Sequence, residues 1–246
     1  MPRDWNAASY DDLPIPMTRW GAAVLQRLEL DGDERVLDAG CGTGQVTALL
    51  LERLPRGTVV ALDASPAMIA AARERHEQLG THRVEYLVHD LLEPIPCGPY
   101  DAVFSTATFH WVPDHERLFG NLAAALRPGG RLVAQCGGPG NIARVEGALA
   151  AVGYDRGHGA YFPTVADTAR RLQAAGFEDV RCWITEEPTP IPPERLEEYL
   201  ATVCLGAALG ALPASERRGF TASVAAQMDR PLLDYVRLNI SARRGA

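Results

Sequence analysis

The sequence lacks a cysteine framework and a long apolar run. Its five cysteines are far apart and odd in number, with no C-x-x-C pair, so neither a disulfide scaffold nor a metal site is predicted. No stretch approaches the ~20 uninterrupted apolar residues of a membrane-spanning helix, and the opening MPRDWNAASYDD has no apolar signal core. These absences predict a soluble protein of a reducing compartment, the cytoplasm.

The sequence also lacks an excess of positive charge. The formal net charge is -7, and the basic residues are scattered or form isolated pairs such as Arg170-Arg171. This pattern argues against a nucleic acid or an anionic membrane as a partner, because both require a concentrated basic surface. A small molecule is the partner we expect, bound by a monomer or a weak homodimer.

What the sequence does contain is a regular alternation of strand-like and helix-like segments. This order is typical of βαβ units and predicts a doubly wound, mostly parallel sheet. Seven segments are predicted as strands: RVLDAG, GTVVALD, RVEYLVHD, YDAVFST, GRLVAQC, DVRCWITEEP and LLDYVRLNISA. Among the helices, SPAMIAAARERHEQLG has Ser65 as its N-cap, Pro66 at its first position and Gly80 at its end.

Proline interrupts the pattern near the carboxyl end. Residues 188–193 read PTPIPP, and we expect them to leave the sheet because proline donates no ladder hydrogen bond. Two helical stretches rich in alanine and leucine follow at about 194–211 and 214–229. They predict a small helical cap before the final strand.

The segment VLDAGCGTGQ is the strongest functional signal. A strand that runs into Gly40, Gly42 and Gly44 and then into a helix presents backbone N–H groups to a nucleotide-type ligand above the sheet edge. The dinucleotide pattern G-x-G-x-x-G requires glycine where Gln45 stands. Asp38 adds a negative charge, which favours a cationic ligand over a pyrophosphate. Both residues weigh against an NAD-dependent oxidoreductase, which is retained as a remote alternative.

Residues 30–138 resemble the class I S-adenosylmethionine-dependent methyltransferases. Five motifs carry the likeness in the family's order: VLDAGCGTG, ALDAS, VHDLLEPIP, FSTATFHWVPD and LRPGGRLV. The resemblance implies S-adenosylmethionine as cofactor and a Rossmann-like sheet of seven strands with an antiparallel last strand. It also implies four parts: an N-terminal helical lid at 1–30, a cofactor-binding core at 31–188, the cap at 189–230 and the final core strand at 231–246.

The same resemblance assigns roles around the cofactor. Asp38 and the glycine loop would hold its methionine end, and Asp63 would accept from the ribose hydroxyls. Asp90 and the Leu91 backbone would read the adenine. The aspartates are also ordinary strand-end or turn residues, and Met68 could be a core residue. The implied cofactor-binding set is Trp5, Tyr10, Asp38, Gly40, Cys41, Gly42, Gly44, Asp63, Ala64, Met68, Asp90, Leu91 and Ser105.

The stretch TATFHWVPDH resembles the carboxyl methyltransferases of the trans-aconitate type. In these, a tryptophan at the Trp111 position lies by the acceptor and donates its indole N–H to a carboxylate, which is ionised at neutral pH and needs no base. The opening DWNAASY resembles their W-N-x-x-x-Y segment, so Trp5 and Tyr10 are expected in a lid over the cofactor. Asp11 and Asp12 depart from the acid-methylating pattern, where a glutamine follows the tyrosine, and two acids there would repel an anionic acceptor.

His110 leaves a second function open. With a reference pKa of about 6.5, its imidazole could act as the base for O- or N-methylation of a hydroxyl, phenol or amine. It could equally be a structural histidine, and Trp111 a plain wall aromatic. A non-catalytic protein that binds adenosylmethionine is a further alternative, and methylation of a carboxylate oxygen is the leading hypothesis. In the loop at 140–162, we expect Tyr154, His158 and Tyr161 to contribute to a pocket wall.

Overall fold

The structure is a computed structural model that describes residues 16–80, 82–154 and 159–246. Its centre is a seven-stranded sheet in the order β3-β2-β1-β4-β5-β7-β6. The strands are β1 (Arg35–Ala39), β2 (Thr58–Asp63), β3 (Val84–Val88), β4 (Tyr100–Thr106), β5 (Leu126–Gly137), β6 (Phe177–Pro190) and β7 (Leu232–Arg244). The predicted seven-stranded α/β fold is confirmed.

Helices cover both faces of the sheet. The α-helices are α1 (Met17–Leu25), α2 (Gln45–Glu52), α3 (Pro66–Gln78), α4 (His115–Ala125), α5 (Ala143–Ala151), α6 (Val165–Ala174), α7 (Leu196–Tyr199), α8 (Gly206–Gly210) and α9 (Ala214–Gln227). Two 3-10 turns at Phe109–Trp111 and Pro193–Arg195 and a π-helical segment at Leu200–Cys204 complete the helical structure that is described. Within the described ranges, no helix has the length and apolar character needed to cross a bilayer.

The helix boundaries follow from local side-chain chemistry. Ser65 Oγ accepts a hydrogen bond from the Met68 backbone N–H at 3.3 Å, and Pro66 occupies the first position of α3, where no N–H is needed. Asp114 caps α4 in the same manner, since its carboxylate accepts from the Arg117 N–H at 3.0 Å. The predicted start of α3 is therefore confirmed.

The strand directions agree with the predicted sheet, whereas the carboxyl end of β6 differs from the prediction. β1 is parallel to β2 and β4, whereas β7 is antiparallel to both β5 and β6. The expected exit from the sheet at 188 is wrong: Pro188 pairs with Asp234 and Pro190 pairs with Leu232. β6 is the edge strand of the described sheet, and an edge strand tolerates proline because its outer side needs no ladder donor.

Two apolar layers hold the sheet between the helices. One is formed mainly by α1 and α2 against β1 and β2, and the other by α4 and α6 against the opposite face. A third cluster joins α5, α9 and the π-helical segment to Trp20 and Tyr235. The cap therefore shares an apolar cluster with α1, α5 and the start of β7. Its chain leaves and re-enters the sheet at one point, where Ile191 N donates to Pro231 O at 2.8 Å.

The topology brings several chain segments to one edge. The strand order reverses between β1 and β4, which leaves a crevice beyond the carboxyl ends of the parallel strands. Because β7 is antiparallel, its amino-terminal part lies at the same edge. The turn after β1 and the first residues of β7 therefore face one site.

Candidate active site

A cavity of ≈ 710 Å³ opens at this edge of the sheet. Its glycine-loop end is formed by the turn after β1, the end of β2 with the start of α3, and the turn after β3. Its β7 end is formed by the 3-10 turn after β4, the residues before α5, and β7. The lining residues used below are Gly40, Cys41, Gly42, Asp63, Ala64, Met68, Asp90 and Leu91 at the glycine-loop end and His110, Trp111, Asn141, Tyr235 and Arg237 at the β7 end.

The three glycines of the turn are present for different reasons. A Cβ on Gly40 would lie 2.2 Å from the Thr108 side chain, and a Cβ on Gly44 would lie 2.8 Å from the His76 ring. Gly42 has a φ of 56°, and no atom lies within 4 Å of its Cβ position. Close packing therefore explains Gly40 and Gly44, whereas Gly42 leaves room for a ligand.

Asp63 connects the glycine turn to the start of α3. Its Oδ2 accepts from Gly42 N at 3.0 Å, and its Oδ1 accepts from Ser65 N at 2.9 Å. Burial raises the pKa of the Asp63 carboxyl, and these two backbone N–H groups oppose the rise. The result is an oriented carboxylate on the cavity wall that can accept hydrogen bonds from hydroxyl groups or attract a cation.

Asp38 and Ser105 lie behind the turn and do not line the cavity. Asp38 is 2% exposed, and its Oδ2 accepts from Thr47 Oγ1 at 2.6 Å. Burial raises the pKa of Asp38 to about 7, and the charge of Asp63 adds to the rise. Ser105 Oγ donates to Ala39 O at 2.6 Å. Both side chains support the turn from inside the fold, and direct contact of either one with a ligand stays a prediction.

The turn after β3 and the start of α3 supply the apolar part of the glycine-loop end. Met68 and Leu91 are buried, and Ala64 lines the cavity with them. Asp90 is exposed, and its Oδ1 accepts from Leu92 N at 2.9 Å, which is ordinary turn chemistry. The structure therefore brings together the residues for which an adenine contact was predicted.

His110 and Trp111 follow β4 at the β7 end of the cavity. The centroids of their rings are 4.9 Å apart. His110 Nδ1 accepts from the Gly137 backbone N–H at 3.2 Å. Because a backbone amide can only donate, the neutral imidazole carries its proton on Nε2. His110 is thus a hydrogen-bond donor at Nε2 in this arrangement.

Sequence reasoning missed three residues at the β7 end. Arg237 is 2% exposed, Asn141 is 4% exposed, and the Tyr235 hydroxyl is 2.8 Å from that of Tyr199. All but Tyr199 line the cavity. A signal for Arg237 was present: in the strand LLDYVRLNISA it has the same parity as Leu233 and Tyr235, so it occupies an apolar face.

The remaining expectations concern the N-terminal lid and the stretch at 140–162, which was expected to be a loop and instead contains α5 (Ala143–Ala151). Trp5, Tyr10 and His158 lie outside the described residues. Tyr161 N donates to the His110 carbonyl at 2.7 Å, and Tyr154 packs edge-on against Phe220. Neither tyrosine lines the cavity, so their expected place on the pocket wall is not found.

Comparison with known proteins gives the same assignment as the glycine turn. A family described as "Methyltransferase domain" matches residues 36–130. The trans-aconitate 2-methyltransferase of Methylobacterium nodulans is 34% identical over 183 residues, covering 74% of this chain and 67% of that protein. The corresponding enzyme of an Azoarcus species is 39% identical over 131 residues, covering 53% of this chain and 50% of its own length. For several such relatives, the match spans only about half of the relative.

A solved structure extends the likeness to the whole sheet. The Haemonchus contortus phosphoethanolamine N-methyltransferase 2, solved with phosphomonomethylethanolamine and S-adenosylhomocysteine, superposes with a TM-score of 0.66. The superposition covers 93% of this chain and 53% of that one at 22% identity, so it supports the fold alone. Taken with the glycine turn, the sheet order and the Methylobacterium relative, the chain belongs to the class I S-adenosylmethionine-dependent methyltransferases and is similar within them to the trans-aconitate type.

Proposed function

We propose that the protein transfers a methyl group from S-adenosylmethionine to a carboxylate oxygen of a small acid. The cofactor part is supported by the fit of the glycine-loop end: Gly42 leaves open space, and Asp63 presents an oriented carboxylate. The carboxylates of Asp63 and Asp90 on the cavity wall also suit a ligand that carries ammonium and sulfonium charges.

The choice of a carboxylate acceptor rests on one observation, the hydrogen bond from Gly137 N to His110 Nδ1. This bond occupies the only unprotonated nitrogen of the neutral ring. At the β7 end, His110 Nε2 and the Trp111 indole nitrogen are then donors, and neither can take a proton from an acceptor. An acceptor that is already ionised, such as a carboxylate, needs no base.

The chemistry divides between cofactor and chain. When bound, S-adenosylmethionine would supply an electrophilic methyl group. The acceptor oxygen would bond to the methyl carbon while the carbon–sulfur bond breaks and its electron pair stays on sulfur. No proton transfer is needed. The chain positions and desolvates the acceptor. In this proposal His110 and Trp111 donate to the acceptor carboxylate and orient it, while Asp63 holds the ribose.

The alternative is methylation of a hydroxyl, phenol or amine with His110 as base. It requires the Nε2 proton to leave or the Gly137 bond to break. Under this alternative, turnover of a phenol would fall steeply towards acidic pH, because protonation of the imidazole removes the base. Turnover of a carboxylate would be nearly flat over the same range, which separates the two functions.

The test is a labelled-methyl assay with matched small acids, phenols and amines. We expect a base-labile methyl ester from one or more acids and no labelled product from the phenols or amines. Calorimetry with S-adenosylhomocysteine measures cofactor binding separately. Labelled ethers or methylamines without any ester would overturn the carboxylate assignment, and an absence of S-adenosylhomocysteine binding would overturn the cofactor assignment.

A further inference from the structure

Arg237 places a fixed positive charge at the β7 end of the cavity. Its side chain is 2% exposed and lines the cavity. Among the described lining residues it is the only arginine or lysine. A guanidinium remains protonated over the whole physiological pH range, and its planar fork matches the two oxygens of a carboxylate. The charge at this end is thus opposite in sign to the carboxylates at the glycine-loop end.

A buried polar chain sets the direction of the Arg237 side chain. Its Nε donates to Gln135 Oε1 at 3.5 Å, and its guanidinium carbon lies 4.8 Å from the centroid of the Trp20 ring. Gln135 Nε2 donates in turn to Asn239 Oδ1 at 2.8 Å, and Arg27 donates to the same oxygen. Gln135 and Asn239 are both buried. These two contacts favour one orientation of the Arg237 side chain before any ligand arrives.

The strand register puts Arg237 beside the acceptor donors. Gly137 of β5 is paired with Arg237 of β7, and Gly137 N is the group that donates to His110 Nδ1. Residues paired across an antiparallel ladder have Cα atoms about 5 Å apart. Arg237 and His110 therefore occupy neighbouring parts of the same wall, with Asn141 also lining the cavity.

Arg237 is also remote from the cofactor side. β7 is four strands away from β2, which carries Asp63, and four strand spacings amount to about 19 Å. A cation bound directly to the attacking oxygen would lower its nucleophilicity by drawing off its charge. A guanidinium that lies beyond the donors of the 3-10 turn suits a second anionic group instead.

We propose that Arg237 determines acceptor specificity by binding a carboxylate of the acceptor other than the one that is methylated. His110 and Trp111 would orient the reacting carboxylate, and Arg237 would hold the distal one in a bidentate pair. This inference rests on the proposed function for the reaction, whereas the binding of a two-carboxylate acid by Arg237 requires no turnover.

The experiment therefore measures binding separately from catalysis. Fumarate and crotonate have the same four-carbon chain and differ in whether the far end is a carboxylate or a methyl group. Calorimetry on the complex with S-adenosylhomocysteine should show fumarate bound about 30-fold more tightly than crotonate. In Arg237→Gln this ratio should fall to within about threefold, with the affinity for S-adenosylhomocysteine unchanged within the same factor.

Two further variants keep the test decisive. Arg237→Lys keeps the positive charge and loses the planar guanidinium, so we expect an intermediate ratio of fumarate to crotonate affinity. This variant replaces Arg237→Gln in the test if Arg237→Gln does not fold. Arg243→Gln removes an exposed arginine of the same strand that does not line the cavity, and it should leave the ratio unchanged.

The outcomes separate the two proposals. Equal binding of the two acids by the unsubstituted protein, or an unchanged ratio in Arg237→Gln, would overturn the role of Arg237. A ratio that depends on Arg237 without any methyl ester from a wider panel of diacids would uphold that role and contradict the proposed reaction. If Arg237→Gln and Arg237→Lys both lose affinity equally for the two acids and for S-adenosylhomocysteine, the Arg237 side chain has only a structural role and the proposal is wrong.

Discussion

The two ends of the cavity are built in opposite ways. The glycine-loop end takes its residues from three short segments, each directly after a parallel strand, and its charged groups include Asp63 and Asp90. The β7 end combines the turn after β4, the residue Asn141, the cap and β7, and its cation is Arg237. One end is local in sequence and carries carboxylates, whereas the other is assembled by tertiary folding and carries a guanidinium. Under the proposed function, the residues that bind the cofactor and those that select the acceptor therefore come from different parts of the fold.

The family model has the same asymmetry, although the Methylobacterium nodulans relative matches over 183 residues and 74% of this chain. The matched methyltransferase family covers residues 36–130, which includes the whole glycine-loop end and the His110-Trp111 pair. It stops before Asn141, the cap and Arg237. The family model therefore covers the proposed cofactor residues and leaves out Arg237, for which this chain's own structure supplies the argument.

The largest effect should come from Asp63. Asp63→Ala removes the proposed ribose acceptor and two hydrogen bonds to the backbone, at Gly42 and Ser65. We expect the affinity for S-adenosylhomocysteine to fall about 100-fold, because a charged hydrogen-bond partner is lost in a partly buried site. Calorimetry measures it. Asp33→Ala, at an exposed aspartate away from the cavity, should bind normally, and a similar loss in both variants would contradict the assignment.

Next in size should be the effect of filling the glycine positions. Gly40→Ala places a Cβ 2.2 Å from Thr108 at a φ of 84°, so we expect a loss of roughly 2 to 3 kcal/mol in unfolding free energy. Gly42→Ala meets no atom and should cost about 1 to 2 kcal/mol for its left-handed backbone. Denaturant unfolding measures both.

The same two variants sharpen the contrast within the turn. Gly42→Ala should lower the affinity for S-adenosylhomocysteine although it costs little stability, because the added methyl group enters the open space of the cavity. Gly40→Ala should mainly lower stability. If both variants lost stability equally and bound equally well, the proposed division between a packing glycine and a ligand-facing glycine would be wrong.

Substitution of Trp111 should affect turnover of the acid without affecting cofactor affinity, if the two ends of the cavity act independently. Trp111→Ala should lower kcat/KM for the acid about 20-fold, because the orienting indole donor is lost. Affinity for S-adenosylhomocysteine should change less than about threefold. Trp111→Phe keeps an aromatic ring, although a smaller one, and removes the N–H, so the loss should persist if the hydrogen bond matters. Equal losses of turnover and cofactor affinity would mean that Trp111 supports the cofactor instead.

The smallest effect should be the pH dependence due to Asp38. Its folded pKa of about 7 lies above the unfolded value of about 3.9, so the folded state retains a proton that the unfolded state has released. This stabilisation is complete below about pH 4 and is lost as pH rises through about 7. Between about pH 6 and pH 8 it should fall by about 1.4 kcal/mol.

Asp38→Asn should remove that fall. The amide keeps an oxygen that can accept from Thr47, so the variant retains the packing and loses the titration. Urea unfolding of both proteins at the two pH values gives the difference. An identical fall in the variant would show that another group titrates in this range.

Much of the fold could be predicted because its signals are short-range. Ser65, Pro66 and Gly80 each act on a neighbouring turn, and alternation from strand to helix sets the parallel core. The strand end at 190 could not be predicted from proline alone, because whether proline is tolerated depends on the strand being at the edge of the sheet. Edge position is a property of the whole sheet.

The site divides along the same line. Gly42, Asp63 and Met68 could be predicted to line one cavity because each lies at or shortly after the end of a parallel strand, and these ends meet at one sheet edge. Asp38 could be placed at the turn, yet its burial beneath the loop depends on Thr47 and the packing of α2. Arg237 becomes part of the site only when β7 inserts between β5 and β6 in the antiparallel direction.

The closure of the cap at Ile191 and Pro231 has a practical consequence. Because the chain departs from and returns to the sheet through adjacent residues, the forty or so positions between them form a single excursion from the sheet. The cap residues Leu200 and Val203 share a buried cluster with Trp20, Val145 and Tyr235. A cap taken from another protein would therefore need matching changes in α1, α5 and β7, so the cap and its neighbours form one unit for engineering.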